Sequence, residues 1–220
     1  FSRPGENWSE ALRRLSQQGK LSRDWLLDQS LQALNRGFEQ FRAGWYSRFH
    51  EEMEPTVEER QARVELYGTL LSSRIGPTVS FALAALKVVD GTHPLSAEFL
   101  AEYLQPALTA KAKGTATGAL TLLAKAVNRE PEFAGRAAKM AVDALTNESP
   151  DVQQKALDLI QRDADAKALL ADYVDIVAPS LRTRVTQMVG AKVEAPAIGE
   201  KYVQRKRLED LPNLEKLERI

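Results

Sequence analysis

The sequence predicts an all-α protein, arranged as a right-handed α-α superhelix of about ten or eleven helices. Nearly every segment of the 220 residues places apolar side chains at helical spacing, and no stretch shows convincing strand alternation. A pattern of small and apolar residues recurs every 37 residues. Helix-start residues and glycines fall between these recurrences, where a helical chain has to turn.

The recurrence is clearest in three apolar segments. Ala82-Leu83-x-x-Leu86 returns as Ala119-Leu120-x-x-Leu123 and again as Ala156-Leu157-x-x-Ile160, and each step is 37 residues. Ala107-Leu108 maps onto Ala144-Leu145 by the same offset. Two helices and two short turns fill a period of this length, which is typical of a stacked repeat array. We expect the repeated Ala and Leu residues to be buried between neighbouring units.

Three helices are predicted before the repeats. The first covers Asn7 to Gln18 and ends in a turn at Gly19. Ser22 is expected to cap the second, because a serine hydroxyl can accept a bond from a free backbone amide of the first turn. The apolar face of the second helix is predicted to contain Trp25, Leu26, Leu31 and Leu34.

The third helix, from Phe38 to Met53, contains the segment GWYSRFHEEME. Its large side chains are spaced three or four residues apart, which predicts one buried stripe of Phe38, Phe41, Trp45, Phe49 and Met53. The glutamates around Pro55 are then expected to be solvated. For His50 we expect a packing or hydrogen-bonding role, with general acid–base catalysis as the alternative.

The helices after Pro55 are marked by their first residues. Thr56 and Glu59 form a capping-box pattern for a helix that is predicted to reach Ser73. Two further predicted helices begin at Gly76-Pro77 and at Ser149-Pro150, and a final pair covers Asp165–Val177 and Ser180–Val189.

These patterns divide the chain into three parts. Residues 1–55 are predicted to form an N-terminal helical cap, and residues 56–190 the helical pairs with the 37-residue period. Residues 191–220 contain Pro196, Gly199 and Pro212 with little periodicity, and we expect an extended tail or linker there.

Composition limits the classes of function. The 30 Lys and Arg balance the 30 Asp and Glu, so no global field attracts nucleic acid or membrane. Cysteine is absent, which excludes disulfides and a cysteine nucleophile and fits a reducing compartment. No apolar run is long enough for a membrane span. We therefore expect a cytoplasmic protein, and its start at Phe1 suggests a segment of a longer chain.

The small-to-apolar pairs within two-helix units of this length resemble HEAT repeats, over about Thr56 to Gly190. SPDVQQKALDLIQRDA resembles the second helix of such a unit, with Ala156, Leu157 and Ile160 facing inward. GWYSRFHEEMEPT, followed by a helix and GPTVSFALAALKVVD, is similar to an uncharacterised bacterial family of HEAT-like proteins with a Gly-Trp-aromatic-x-x-Phe-His segment before the repeats. That family implies no activity.

No catalytic, metal or cofactor site is predicted. His50 and His93 are not spaced as metal ligands, and HEEME lacks the second histidine of the metalloprotease motif. KGTATG at 113–118 lacks the glycine spacing and the Lys-Ser/Thr of a phosphate loop, so we interpret it as a flexible turn followed by a helix start. No small-molecule ligand is indicated.

The HEAT resemblance implies that the second helix of each pair lines a concave surface. With the Ala and Leu residues turned inward, the residues expected to point out and bind a partner are Thr117, Thr121, Lys125, Gln154, Asp158 and Arg162. One period earlier the same positions are Ser80, Ala84 and Val88. Such a mixed, moderately polar surface is typical of a groove that binds protein.

The leading hypothesis is a non-catalytic scaffold that presents this surface to a protein partner. The alternative is a HEAT-like protein that binds nucleic acid, of the DNA glycosylase type, with Trp25 or Trp45 exposed in a cleft beside an Asp and basic residues. Basic residues between Lys111 and Lys139 are followed by an acidic stretch from Asp143 to Asp175, and this alternation argues against a continuous phosphate track.

Overall fold

The computed structural model describes residues 7–190, and in this range the protein is all helical. These residues form thirteen α-helices and three short 3-10 helices, with no β-strand among them. The predicted all-α class is therefore confirmed. The predicted tail, residues 191–220, lies outside the described residues.

The helix bounds follow the chain order. The α-helices are α1 (Trp8–Gln17), α2 (Arg23–Leu34), α3 (Gln40–Glu52), α4 (Val57–Gln61), α5 (Val64–Leu70), α6 (Gly76–Thr92), α7 (Ala97–Tyr103), α8 (Gln105–Leu108), α9 (Lys113–Arg129), α10 (Ala134–Val142), α11 (Pro150–Ile160), α12 (Ala164–Ala168) and α13 (Pro179–Val189). The 3-10 helices are Pro131–Phe133, Asp143–Thr146 and Leu169–Tyr173.

Three of the predicted helix starts are confirmed by cap hydrogen bonds, whereas the predicted starts at Gly76 and Ser149 are present without a side-chain cap bond. Asn7 accepts from the amide of Glu10, whose carboxylate accepts from the amide of Asn7 in return. Ser22 accepts from the amide of Trp25. Thr56 and Glu59 form the predicted capping box, with both reciprocal bonds present. Each cap satisfies backbone amides that have no partner inside the helix.

The single helix predicted from Thr56 to Ser73 is wrong, because the chain breaks between α4 and α5. Arg63 has φ −120° and ψ 19° at the break. Its guanidinium donates to the carbonyl of Glu59, and it also donates to the carboxylates of Asp24 and Asp28 on α2. These bonds across to α2 replace the regular helical geometry at this point, so a tertiary contact overrides a continuous helical pattern.

The turn predicted at 113–118 is also wrong, because α9 already begins at Lys113. Gly114 and Gly118 therefore lie inside a helix. A Cβ atom at Gly118 would be 3.1 Å from Leu83 Cδ2 of α6, which is tighter than an ordinary contact. Gly118 thus permits α9 to approach α6 closely, which gives this glycine a packing role within the helix.

The helices from residue 76 onward pack in two rows. The first row contains α6, α9, α11 and α13, which contact one another in chain order. The second row contains α7, α8, α10 and α12, and these helices also follow one another and pack against the first row. A helix of the first row is therefore covered on one side by the second row and on its flanks by its neighbours.

The residues of the 37-residue recurrence are buried, as predicted. The three segments that begin at Ala82, Ala119 and Ala156 lie in α6, α9 and α11, and each of their Ala, Leu and Ile positions is at most 2% exposed. Ala107-Leu108 in α8 and Ala144-Leu145 in the 3-10 helix Asp143–Thr146 are fully buried as well. The repeated positions therefore form the seam between the rows.

Hydrogen bonds between neighbouring units join residues that are about one period apart. The Asn147 side chain donates to the carbonyl of Ala110 at 2.9 Å, across 37 residues. Arg129 donates to the carbonyl of Leu95 at 3.0 Å, across 34 residues. These bonds satisfy backbone carbonyls in the turns, and they hold each unit to the one before it.

The aromatic stripe predicted on α3 is only partly correct. Phe49 and Met53 are buried and Trp45 packs against them, but Phe41 is 88% exposed. The buried side of α3 also contains Ala43 and His50. Phe41 lies roughly 180° around the helix from His50, since successive residues are roughly 100° apart. Burial of the histidine side therefore turns Phe41 toward solvent.

The apolar face of α2 shows one similar difference. Leu26, Leu31 and Leu34 are buried as predicted, whereas Trp25 is 52% exposed. Leu27 is fully buried in its place. The buried face of α2 is thus turned by about one residue from the predicted one.

Replacing Leu120 by Ala is expected to lower the free energy of unfolding by about 2–5 kcal/mol, because Leu120 is only 2% exposed and the change leaves a cavity in the seam. Denaturant unfolding measures the difference. Leu169→Ala is the matched control, since Leu169 is 46% exposed and its truncation should cost far less. Equal losses in the two variants would contradict the assignment of Leu120 to the core.

Candidate functional site

The residues predicted to bind a partner all lie on the first row or directly after it. Thr117, Thr121 and Lys125 belong to α9, Gln154 and Asp158 belong to α11, and Arg162 follows α11. The structure brings three of them, Thr121, Asp158 and Arg162, to a common groove. The other three lie nearby but do not line it.

The α9/α11 groove has a volume of about 240 Å³. Its apolar surface comes from Leu120, Ala124 and Leu159, and its polar surface from Thr121, Lys155, Asp158 and Arg162. All of these residues belong to α9, to α11 or to the turn after α11. The groove therefore opens on the side of the first row that faces away from the second row.

A second groove lies one helix earlier, between α6 and the start of α9, with a volume of about 270 Å³. It is lined by Ser80, Leu83, Ala84, Lys87, Ala112, Gly114 and Thr115. The hydroxyls of Ser80 and Thr115 are hydrogen-bonded at 2.7 Å, which ties the two helices together at this groove. We call this pair of openings the first-row grooves.

Lys125 does not point freely to solvent, because it binds Asp90 of α6. Lys125 Nζ donates to Asp90 Oδ2 at 3.1 Å, and Arg129 donates to Asp90 Oδ1 at 2.9 Å. The Asp90 side chain is fully buried. Burial alone would raise its pKa, but the bonds from the Leu95 amide, Lys125 and Arg129 outweigh burial and lower the pKa. Lys125 thus holds α9 to α6.

Thr117 is also less available than predicted. Its Oγ1 is buried and, within residues 7–190, has no hydrogen-bond partner. Its carbonyl accepts a bond from the hydroxyl of Thr121 at 2.8 Å. Gln154 donates to Asp158 at 3.3 Å on the surface of α11. The positions related by the 37-residue period therefore fall on the helices that line the α9/α11 groove, but the period alone did not distinguish groove residues from residues bound to a neighbouring helix.

Two cations at the α9/α11 groove were missed by the sequence interpretation. Lys155 lines the groove, and its Nζ lies 3.4 Å from the hydroxyl of Thr121. Arg184 of α13 donates to Asp158 and to Gln161, both at 2.9 Å. Lys155 follows the predicted Gln154 by one residue, so a wider window around that position would have included it. Arg184 comes from α13, which lies outside the three recurring segments.

The first-row helices carry an excess of cations. The first-row helices and Arg162 contain three carboxylates, Asp90, Asp151 and Asp158, and eight cations, Lys87, Lys113, Lys125, Arg129, Lys155, Arg162, Arg182 and Arg184. The rest of residues 76–190 contains four cations, Lys111, Arg136, Lys139 and Lys167, and ten carboxylates, Glu98, Glu102, Glu130, Glu132, Asp143, Glu148, Asp163, Asp165, Asp172 and Asp175.

Most of these carboxylates lie in turns and 3-10 helices. The second-row helices themselves contain three carboxylates, Glu98, Glu102 and Asp165, and three cations, Arg136, Lys139 and Lys167. Two carboxylates of the predicted acidic stretch, Asp151 and Asp158, lie on the first row beside its cations, so the alternation still argues against a continuous phosphate track. Cations predominate on the first row.

A buried polar cluster joins α2, α3 and α5 at the N-terminal side. His50 Nδ1 lies 2.7 Å from Ser30 Oγ, and His50 Nε2 lies 2.6 Å from the hydroxyl of Tyr67. The three residues are 0–2% exposed. The His50 and Tyr67 rings also pack edge-on against each other, and Phe81 of α6 packs edge-on against His50. The cluster thus connects both sides of the predicted boundary at residue 55.

Only one assignment of donors and acceptors fits the hydrogen bonds of this cluster. Ser30 donates its only hydroxyl proton to the carbonyl of Leu27 at 2.7 Å, so its oxygen accepts from Nδ1–H of His50. The unprotonated Nε2 then accepts from the hydroxyl of Tyr67. Arg60 completes the chain with a hydrogen bond to Tyr67. Every polar atom of the imidazole is satisfied, with the ring neutral.

The electrostatics of the cluster favour this neutral state. Burial is the main cause that lowers the pKa of His50 to about 4; Glu51 opposes it, and the charges of Arg60 and Arg63 act in the same direction as burial. Burial likewise raises the pKa of Tyr67 to about 12. Because both ring nitrogens are bonded to protein and the ring has no exposed surface, the predicted packing and hydrogen-bonding role of His50 is confirmed.

The glutamates near Pro55 are not simply solvated, as the sequence suggested. Glu51 forms two bonds with Arg60 at 2.8 and 3.0 Å, and Glu59 forms two with Arg23 at 2.6 and 3.0 Å. The bond from Arg23 is the main cause of the lowered pKa of Glu59. These pairs connect α3 to α4 and α4 to the start of α2, so they position the elements around His50.

The two tryptophans of the glycosylase alternative lie in different environments. Trp25 is exposed, but it lines none of the grooves described above. Its neighbours along the chain, Asp24 and Arg23, are bonded to Arg63 and Glu59. Trp45 is partly buried and stacks on Phe49 at 5.3 Å between ring centroids. Neither ring therefore lies in an open cleft between an aspartate and free cations.

Residues 7–190 contain neither a candidate metal site nor a candidate membrane span. No three His, Asp or Glu side chains lie together in a group that could hold a metal ion. No helix in this range combines the length and the apolar character that crossing a bilayer requires.

The fold and the site define an all-α protein with two open grooves along one row of helices and a buried histidine cluster beside it. Residues 3–114 match the family model described as "Domain of unknown function (DUF6493)", which is just over half of the chain. The chain therefore belongs to this family. The matched segment contains the histidine cluster and ends at the start of α9. No curated protein and no solved structure matches the chain.

The free energy of unfolding is expected to fall by about 3 kcal/mol between pH 6.5 and pH 4 through His50 alone. Below pH 6.5 the unfolded chain protonates His50 while the folded protein, with a pKa of about 4, does not, so acid favours unfolding. Denaturant unfolding across this pH range should show a shallower decline for His50→Gln than for the native chain. His93→Gln is the matched control, and an equally shallow decline in that variant would contradict the assignment.

Replacing Tyr67 by Phe is expected to cost about 1–3 kcal/mol, because His50 Nε2 and Arg60 each lose a buried hydrogen-bond partner while the ring volume is kept. Chemical denaturation measures this loss. Tyr173→Phe serves as the control, since Tyr173 is only partly buried and lies outside the cluster. A Tyr67 variant as stable as the native chain would show that the cluster contributes nothing to stability.

Proposed function

We propose that the chain is a non-catalytic HEAT-like scaffold, a right-handed α-α superhelix that binds a protein partner along the first row. The buried 37-residue recurrence and the two rows of helices support the repeat architecture. In a stack of such units, each unit contacts only its neighbours and leaves an extended surface on each side. The absence of cysteine is compatible with the proposed location in the cytoplasm.

The observation that carries the proposal is the pair of first-row grooves. They lie side by side between successive helices, and each combines apolar side chains with a few polar ones. A surface of this composition suits a protein interface, in which apolar contacts supply affinity and the polar rim supplies register. The partner surface is thus composed of Thr121, Asp158 and Arg162 with Ala84 and Ala124.

The buried cluster supports a non-catalytic role for its residues. Ser30 and His50 form a serine–histidine pair, but both are within the core and no substrate could reach the hydroxyl. A nucleophile needs access to its target as well as a base. The pair instead stabilises the junction of α2, α3 and α5 with α6.

A second candidate function is nucleic-acid binding, because cations outnumber carboxylates on the first row. Phosphate groups would pair with such a surface, and their binding would weaken steeply with salt. The carboxylates of α11 and the lack of an aromatic side chain in either groove make this candidate the weaker one.

Bulky neutral side chains in the grooves are expected to abolish partner binding. The groove variant combines Ala84→Tyr and Ala124→Tyr in one chain. The control variant combines Ala168→Tyr and Ala171→Tyr on the side of the second row. Affinity capture from the source organism should retain a specific protein on the native chain and the control, and lose it from the groove variant. Proteins captured equally by all three chains would contradict a partner site in the grooves.

A further inference from the structure

We propose that the first-row grooves bind an extended, acidic peptide segment of the partner protein. This inference rests on the proposed function and names the chemistry of the partner. It depends on the charge of the groove residues and on the shape of the grooves.

Three cations at the grooves are not neutralised. Lys87 lines the α6/α9 groove and Lys155 and Arg162 line the α9/α11 groove. Within residues 7–190 none of the three forms an ion pair, and Lys155 contacts only the hydroxyl of Thr121. Exposed cations without partners cost nothing to leave in water, but they attract carboxylates of a ligand as it approaches.

The carboxylates on the same row are already paired. Asp90 binds Lys125 and Arg129, Asp151 binds Lys113, and Asp158 binds Arg184. Their negative charge is therefore largely compensated within the row, and the net field at the grooves comes from the unpaired cations. The second-row helices, with three carboxylates and three cations, carry no such excess of positive charge.

The shape of the grooves fits an extended peptide. Neighbouring packed helices are roughly 8–10 Å apart. The two grooves also contact α9 at different levels, at Gly114 and Thr115 and at Leu120 to Ala124, which are roughly 10 Å apart along the helix axis. An extended chain advances about 3.3–3.6 Å per residue, so residues about three to four apart reach successive grooves. Leu120, Ala124 and Leu159 in one groove and Leu83 and Ala84 in the other offer apolar contacts between the cations. We therefore expect acidic residues about three to four apart, with apolar residues between them.

Nucleic acid fits these grooves less well. Three unpaired cations are few compared with the roughly 6–10 phosphate contacts of a DNA-binding protein. Neither groove contains an aromatic side chain on which a base could stack. The apolar floor of leucine and alanine would remain unused by a phosphate backbone. A peptide that carries both carboxylates and apolar side chains uses every part of the surface.

The test uses a fluorescein-labelled peptide of repeated Glu-Leu-Ser, about twelve residues long so that it can cross both grooves. Fluorescence anisotropy with the full chain, at low ionic strength where exposed charges are least screened, measures the affinity. The Lys-Leu-Ser repeat of equal length is the charge-reversed control probe. We expect the acidic peptide to bind, the basic peptide not to bind, and added salt to weaken binding.

The matched variants each remove three cations. The groove variant combines Lys87→Gln, Lys155→Gln and Arg162→Gln, and the control combines Arg136→Gln, Lys139→Gln and Lys167→Gln. The groove variant should bind the acidic peptide about tenfold more weakly, because three ion pairs with the peptide are lost, and the control should bind as the native chain does. Circular dichroism of both variants establishes that they fold.

Three outcomes would overturn the proposal. The first is no binding of the acidic peptide at low ionic strength. The second is an equal loss of affinity in both variants. The third is tighter binding of a labelled oligothymidylate or of duplex DNA that depends on the same three cations, which would assign the surface to nucleic acid. A partner that is lost from the tyrosine variant but kept by the glutamine variant would overturn the acidic ligand alone and leave the scaffold function standing.

Discussion

Burial of the Ala and Leu seam between the two rows is the constraint on which the rest of the structure depends. Residues such as Ala119 and Leu120 contact the neighbouring unit and are removed from water. Alanine allows the helices to approach closely, and leucine supplies most of the apolar area. Once this face of α9 is buried, Thr121 must face the other way, and Leu120 and Ala124 lie at the border between the seam and the α9/α11 groove. The position of the first-row grooves is thus a consequence of the seam.

The histidine cluster joins the N-terminal helices to the repeats. Its three side chains come from three helices, and Phe81 of the fourth packs on the imidazole. A buried polar network with every bond satisfied fixes relative orientation more strictly than apolar packing does. Arg23, Arg60 and Arg63 surround it and bind carboxylates of α2, α3 and α4. The junction is therefore specified by directional bonds, whereas the repeats are held mainly by apolar burial.

Local signals in the sequence predicted those features that depend on neighbouring residues. The caps at Asn7, Ser22 and Thr56 involve residues three positions apart, so they could be found without a structure. The break at Arg63 could not, because its cause is a pair of aspartates 35 and 39 residues away. The exposure of Phe41 could not be predicted from the sequence either, because it depends on which helices pack against α3. A periodic pattern shows that a helix has an apolar side, but the neighbouring helices decide which side is covered.

The sequence by itself determined the helical class, the 37-residue period and the buried Ala-Leu positions, because spacing along one chain fixes which side chains share a helix face. It also placed Thr121, Asp158 and Arg162 on one face, and these residues line the α9/α11 groove. Only the tertiary structure decided which of those residues are free, since Lys125 is bound to Asp90 and Lys155 lines the groove instead. Only the packing of alternate helices brought Lys87, Lys155 and Arg162 to the same row of helices, because residues that are far apart along the chain become neighbours when every second helix lies on the same side.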